Sequence, residues 1–290
     1  MNKQQHGLLL YREEDAKRNS RFISFLHEGA LNHKMKLTLL TLEELTWKIE
    51  NGTSPFHFED GTSPDFLLNR SVSPWLNELA ELQGIPVFNS SLVSRIANDK
   101  RLAHSYFQKK GVPMLTTLAT TKNLLSLNND ILPFPYIVKD PNGRGGTGVF
   151  IINSKDDLTT SVPKLSDEII LQPVVENAGK DLRVYIVGNS IVGAVLRSAQ
   201  SSEEFRANIS TGGTSKFHEL TQEETTLIKS IMKDIHLDFV GIDFIFGKNN
   251  ELLFNEMEDA VGCRSLYMNS DINIADVFMK WVKGKVNDEV

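Results

Sequence analysis

Two groups of residues in this chain carry chemistry by type and spacing. The first lies in IVKDPNGRGGTGVFII, residues 137–152. Lys139 closes an apolar run there, and Gly143, Arg144, Gly145, Gly146, Thr147 and Gly148 follow. The glycines spell G-x-G-x-x-G, a pattern that brings backbone N–H groups close to phosphate. A plain glycine hairpin is the alternative, but four glycines within six residues cost more backbone entropy than a tight turn requires. The second group is acidic: Asp243 in VGIDFIFG, then Glu256, Glu258 and Asp259 after LLFN. On an extended strand Glu256 and Glu258 share a face, and Asp243 stands near them if the two strands pair. Carboxylates in apolar strands imply a cation. Magnesium suits them, because it takes oxygen ligands and keeps substrate phosphates in its shell. Solvated acids at two strand ends are the alternative.

Basic and polar residues lie around these groups. Lys100 follows Asn98-Asp99 at the start of a helix; one lysine alone reads as surface, but two flanking a nucleotide supply cations to a triphosphate. Arg183 in DLRVYIVG and Arg197 in AVLRSAQ occupy strand-like runs, and Arg206 and Asn208 open the polar loop RANISTGG. Arginine suits carboxylate or phosphate held in bidentate geometry. Arg70 ends the run PDFLLNR, where it either holds a substrate carboxylate or is a surface arginine.

The elements that must position these groups change character along the chain. Residues 1–95 alternate strand and helix: strands at 7–11, 35–40, 64–70 and 85–89, helical spacing at 15–31, Leu42–Ile49 and 73–84. That alternation predicts a small parallel α/β domain. The spacing then predicts a helix over 98–111, a strand over 112–119, and strands at 135–140, 147–152, 168–172, 182–187 and 190–197. Thr221 with Glu224 is a capping box opening a helix over 221–236. Strands at 238–247 and 251–258 and a closing helix over 272–284 complete an α+β region rich in hairpins. VFII after the glycine loop is β-branched and aromatic, hence a strand. A Rossmann site needs a helix there. A protein kinase carries its lysine after the flap, not before it, and no G-x-x-x-x-G-K-[ST] occurs. Strand, glycine loop and strand fit a flap that closes over phosphates.

Composition narrows the classes further. The chain has 290 residues, enough for two or three subdomains. A net charge of -6 offers no basic field for nucleic acid, so no such partner is expected. Cys263 is the only cysteine, which excludes an internal disulfide. The apolar run 7–11 is too short for a signal peptide, and no stretch approaches the ~20 apolar residues of a membrane span. A cytoplasmic protein without membrane association is expected.

The order of these motifs resembles the ATP-grasp ligases, in particular the RimK-type glutamate ligases and their lysine-biosynthesis relatives. The resemblance runs from about residue 64 to 282, over Asn98-Asp99-Lys100, Val138-Lys139 with the flap, LQPVVE, Asp181-x-Arg183, Arg197, FRAN with its glycines, Asp243 and Glu256-x-Glu258. It implies an α/β N-terminal domain (1–95) followed by two α+β subdomains gripping ATP. These are a central one with the flap (96–175) and a C-terminal one with the metal site (176–290). It implies that Lys100, Lys139 and Gly143–Gly148 hold the ATP phosphates, with Asp181 on the nucleotide side. Gln172, Pro173, Val174 and Val175 would form the hinge beside adenine. Asp243, Glu256 and Glu258 would bind two Mg2+ ions, with Mn2+ as a substitute. Arg70, Arg183, Arg206 and Asn208 would contact substrate, and Arg197 would stabilise the oxyanion of the tetrahedral step. The implied activity is ATP-dependent ligation of a carboxylate to an amine through an acyl phosphate, on an amino acid or peptide, by a chain free to form a homo-oligomer. The alternatives are a small-molecule kinase on the same scaffold and a nucleotide-binding module without turnover. Two departures stand out: Glu258 replaces the family's usual asparagine in E-x-N-x-x-P-G, with Val261 for its proline, and Arg144 stands where relatives often have a small hydroxyl residue.

Overall fold

The structure is a computed structural model, and it describes residues 4–46, 54–127, 131–145, 148–175, 179–199, 213–233 and 235–288. The N-terminal part runs β1 (Gln5–Tyr11), α1 (Glu13–Arg18), α2 (Ser20–Asn32), β2 (Met35–Thr41), β3 (Phe66–Asn69), α3 (Pro74–Leu82) and β4 (Val87–Phe88). Its four strands are parallel, in the order β2-β1-β3-β4, as the alternation predicts. Leu8, Leu9 and Leu10 of β1 are all buried, because helices cover a parallel sheet on both faces. The helix expected over Leu42–Ile49 is a single 3-10 turn, Leu42–Glu44, among the described residues. Glu44 folds back to accept from the backbone N–H of Thr41 at 2.8 Å.

Two helices follow where one was expected: α4 (Ser91–Asn98) and α5 (Lys100–Gln108). Asp99 is extended between them, and its carboxylate accepts from the Arg101 N–H at 2.9 Å. An aspartate at this position caps a new helix better than it continues an old one. The central part comprises β5 (Leu118–Thr121), α6 (Lys122–Leu127), β6 (Tyr136–Lys139), β7 (Val149–Ile152), α7 (Lys155–Ser161) and β8 (Glu168–Pro173), in an antiparallel sheet ordered β5-β8-β6-β7. The strand expected over 112–119 is shorter and later. Residues 113–114 instead pack beside Phe254, whose N–H donates to the Pro113 carbonyl at 2.8 Å.

The C-terminal part comprises β9 (Lys180–Val187), β10 (Ser190–Ser198), β11 (Thr214–Phe217), α8 (Gln222–Met232), β12 (Phe239–Phe246), β13 (Leu252–Glu258), α9 (Arg264–Asn269) and α10 (Ile274–Asp288). The five strands form an antiparallel sheet, β11-β10-β9-β12-β13. Leu182, Val184 and Ile186 of β9 pack with α4, α5 and α8 on one face. Tyr185 and Val187 pack on the other with α2, α10 and the N-terminal sheet. This sheet is therefore a floor for the N-terminal part on one face and for α4, α5 and α8 on the other, while the central sheet has a core of its own. The capping box of α8 is formed by Thr221 and Glu224, as read from the sequence.

Candidate active site

The acidic residues meet because of the register of β12 on its neighbours. Asp243 stands opposite Arg183 of β9 on one side and Glu256 of β13 on the other. Simple alternation along β13 would put Glu256 on the face of Leu252 and Phe254, which is core. A β-bulge prevents this: Asp243 pairs with Glu256 but Phe244 pairs with Phe254, so Asn255 is the extra residue. The bulge reverses the alternation and turns Glu256 and Glu258 to the side of Asp243, while Met257 enters the core. One carboxylate oxygen from each of Asp243, Glu256 and Glu258 lies within 4.8 Å of the others. Three convergent carboxylates fit a hard divalent cation.

Arginines hold the same acids from the opposite side. Arg183 donates from Nε and Nη2 to the two oxygens of Asp243 at 2.7 and 2.6 Å and pairs with Glu258 at 2.9 Å. Arg197 donates to Asp181 at 2.5 and 2.9 Å and to Asp243 at 2.7 Å. Asp243 is 2% exposed. Burial alone would raise its pKa, but the guanidinium groups of Arg183 and Arg197 hold it down to about 2. Burial pushes Asp181 up to about 6, with the charge of Asp243 adding to the rise and Arg197 opposing it. Both oxygens of Asp243 already accept hydrogen bonds, so Glu256 and Glu258 are the freer ligands for a cation.

The lysines approach from the other parts of the fold. Lys100, the first residue of α5, donates to the Gly143 carbonyl at 2.5 Å and lies 3.3 Å from Glu256. Lys139, at the end of β6, donates to the Asn255 side chain at 3.1 Å. Desolvation lowers the Lys139 pKa to about 8, opposed by Glu256 and reinforced by Lys100. The loop between β6 and β7 closes where the Asp140 N–H donates to the Gly148 carbonyl at 3.0 Å. Gly145 and Gly148 have φ of +60° and +68°, which a side chain resists. A Cβ on Gly148 would also meet Asp140 at 3.0 Å. The strand–loop–strand reading of this segment thus matches the structure; Gly146 and Thr147 lie outside the described residues.

One residue that sequence reasoning passed over ties these pieces together. His104 sits one helical turn after Lys100, 4% exposed. Its Nε2 lies 2.8 Å from the carbonyl of the bulged Asn255, and its Nδ1 lies 2.9 Å from the Thr117 hydroxyl. A carbonyl only accepts, so Nε2 carries the proton. The Thr117 hydroxyl also accepts from Gln172 Nε2 at 2.8 Å. Gln172, Pro173, Val174 and Val175 end β8 and begin the connection toward β9. Burial, with Lys139 and Lys100 adding to it, lowers His104 to about 4, so it is neutral near pH 7. The spacing of His104 four residues after Lys100 was the available signal, since i and i+4 share a helix face.

A cavity of about 720 Å³ opens beside the arginines. Tyr11, Arg18 and Arg70 line it from the N-terminal part, Arg144 from the flap, and Glu258 and Arg264 from the segment after β12. Arg70 is not a surface arginine: it is 6% exposed and donates to Tyr11 Oη at 2.6 Å and the Val261 carbonyl at 2.8 Å. Arg206 and Asn208 lie outside the described residues.

The sequence matches the RimK-like ATP-grasp domain family over residues 97–282. The chain belongs to this family. It is 25% identical over 214 residues to the glutamate–LysW ligase ArgX of Sulfurisphaera tokodaii, covering 70% of this chain and 74% of that one. It is 26% identical, also over 214 residues, to a probable alpha-L-glutamate ligase of Legionella pneumophila strain Corby, covering 71% and 69%. A D-alanine–D-alanine ligase structure from Bacillus anthracis superposes with a TM-score of 0.72 at 15% identity, covering 98% and 99% of the two chains. The ATP-grasp α+β fold is thereby established, with the parallel N-terminal sheet preceding it. No helix among the described residues is long and apolar enough to cross a membrane.

Proposed function

We propose that the chain is an ATP-dependent carboxylate–amine ligase that acts on an amino acid or peptide through an acyl phosphate. The observation that carries this reading is the meeting of two cation sets at one acid cluster. Lys100 and Lys139 reach it from the flap side at Glu256 and Asn255, and Arg183 and Arg197 reach it from the cavity side at Glu258 and Asp243. In this reading the lysines and flap amides bind the ATP phosphates, and the hinge 172–175 lies beside adenine. A carboxylate in the cavity attacks the γ-phosphorus and displaces ADP, giving the acyl phosphate; an amine then attacks the acyl carbon, loses its proton and displaces phosphate to leave the amide. Glu256, Glu258 and Asp243 would hold Mg2+, or Mn2+ in its place, which would supply charge neutralisation. The protein's part is positioning and electrostatics, which phosphoryl transfer chiefly needs. Arg197 faces the cavity where the tetrahedral oxyanion would form. ArgX and the Legionella protein are named for glutamate, and a cavity lined by arginines suits a carboxylate substrate.

The test is ADP release from MgATP over a panel of amino acids and amino-acid pairs, with product mass spectrometry and a hydroxylamine trap. A ligase gives an amide product, and a hydroxamate when hydroxylamine replaces the amine. A phosphate ester that resists hydroxylamine would identify a kinase, and no ADP release with any member would leave a binding module.

A further inference from the structure

One chain of hydrogen bonds crosses the site from the hinge to the acid cluster. Its members are Gln172 near the end of β8, Thr117 just before β5, His104 on α5 and the carbonyl of Asn255 in the bulge. That carbonyl only accepts, so His104 donates from Nε2 and its Nδ1 accepts. The Thr117 hydroxyl has a single proton and two acceptors near it, His104 Nδ1 at 2.9 Å and the Leu115 carbonyl at 3.1 Å. Nδ1 has no other donor among the described residues, and a buried ring nitrogen left empty is unfavourable, so the proton goes to Nδ1. Thr117 then accepts from Gln172, which must turn Nε2 toward it, at 2.8 Å. The carboxamide oxygen of Gln172 points the other way. It is buried and has no partner among the described residues, on a residue only 1% exposed. Reversing the amide would take the Thr117 proton away from His104. The direction of all three bonds is therefore set at Asn255, and the end they leave open at the hinge is an acceptor.

The other end of the chain reaches the groups assigned to phosphate and metal. Asn255 is the extra residue of the bulge, so its peptide lies outside the regular ladder and the His104 bond fixes its carbonyl. The Asn255 side chain accepts from Lys139 at 3.1 Å, and Glu256 follows it, opposite Asp243. His104 thus holds the residue that places both Lys139 and Glu256. Hydrogen bonds in a directional chain polarise one another, so a donor arriving at Gln172 Oε1 strengthens the hold on Asn255.

We propose that Thr117 and His104 are positioning residues that couple the hinge to the acid cluster: a base with an exocyclic amine at Gln172 and a divalent cation at Glu256 each tighten the binding of the other. The coupling rests on the base-side reading of residues 172–175 and the metal reading of Glu256, but on no ligation chemistry. By linkage the factor is the same in both directions.

The experiment uses adenosine, which carries the amine and has no phosphate to ligate a metal, with Mn2+ as the cation. Calorimetry gives the Kd of Mn2+ with and without saturating adenosine, and of adenosine with and without Mn2+. In wild type each should tighten the other at least about fivefold. Inosine, with a carbonyl in place of the amine, should give no such gain. Thr117→Val keeps the shape and removes the hydroxyl alone, so the gain should fall below about twofold, and Thr117→Ser should restore it. His104→Leu breaks the chain one bond further on and should lose the gain as well. A merely structural Thr117 would weaken adenosine and Mn2+ separately and leave the factor between them intact, which overturns the coupling. So does a wild-type protein that binds both ligands without any gain. Adenosine that does not bind overturns the base-side reading, and the coupling with it. Coupling as expected, without ADP release for any substrate, would overturn the ligase reading alone.

Discussion

The two sides of the acid cluster are built differently. On the cavity side, Arg183 and Arg197 sit on strands of the same sheet as Asp243, 7% and 6% exposed, with forked contacts of 2.5–2.9 Å. Arg183, Arg197 and Asp243 each meet two oppositely charged partners there. On the flap side, the lysines come from a helix and from a different sheet; Lys100 donates to the Gly143 carbonyl at 2.5 Å but lies 3.3 Å from its carboxylate partner Glu256, and Lys139 donates to the neutral Asn255 side chain at 3.1 Å. Arginine forks fixed by a shared sheet form a rigid support. Lysines carried by separate elements with loosely met charges are groups that a phosphate can recruit at small cost. In the proposed reading the cluster thus has a structural half and a ligand-binding half, and mutations should separate them.

The largest effect is expected at the centre of the structural half. Asp243→Asn removes the carboxylate shared by Arg183 and Arg197 and leaves two buried cations short of charge. Breaking such a pair costs on the order of 3 kcal/mol or more, so urea denaturation should show a large fall in stability, independent of nucleotide. A stable Asp243→Asn protein would show that Asp181 and Glu258 suffice, and the division would fail. Next is the buried histidine that holds the bulge. Its folded pKa is about 4 against 6.5 when free, so the unfolded chain binds the proton first as pH falls. Its contribution is complete above pH 6.5, declines as pH drops toward 4, and totals about 3 kcal/mol for a shift of this size. In His104→Gln, which keeps an N–H donor for the Asn255 carbonyl but does not titrate, the acid limb of stability against pH should flatten. An unchanged slope would show that His104 is not the group responsible.

Much of this site was readable before the fold was known, and the parts that were not have a common cause. The flap follows from local chemistry: β-branched residues after the glycines make a strand, and Lys139 precedes it. The order of lysines, arginines and acids carried the family. Asp243 beside Glu256 followed from pairing two apolar runs. The bulge at Asn255 did not, because nothing local in LLFNEME distinguishes it from regular alternation; His104 and Lys139, distant in sequence, hold it. The cap at Asn98-Asp99 marked the start of α5; α4 before it was not expected, since its apolar residues Val93 and Ile96 find their partners on the distant C-terminal sheet. Arg70 could not be resolved from sequence, since its burial depends on Tyr11 and Val261, which are distant in the chain, meeting around it.

Two smaller effects test the ligand-binding half. Lys139→Ala removes a cation whose pKa is already lowered by desolvation, so its loss should change stability by no more than about 1 kcal/mol. ADP formation should fall on the order of 10²-fold, the scale for removing one positioned electrostatic donor. A stability loss as large as that of Asp243→Asn would place Lys139 in the structural half. The smallest effect is expected at Glu258, where the family usually has asparagine. Glu258 pairs with Arg183, but Arg183 keeps its fork to Asp243 without it. Glu258→Asn should therefore cost about 1 kcal/mol or less by thermal denaturation. A cation site loses a full charge in the same change, so the Mg2+ concentration giving half-maximal ADP release should rise while Tm barely moves. If Tm falls and the Mg2+ requirement does not, Glu258 serves Arg183 rather than a metal, and the boundary between the two halves runs between Glu256 and Glu258.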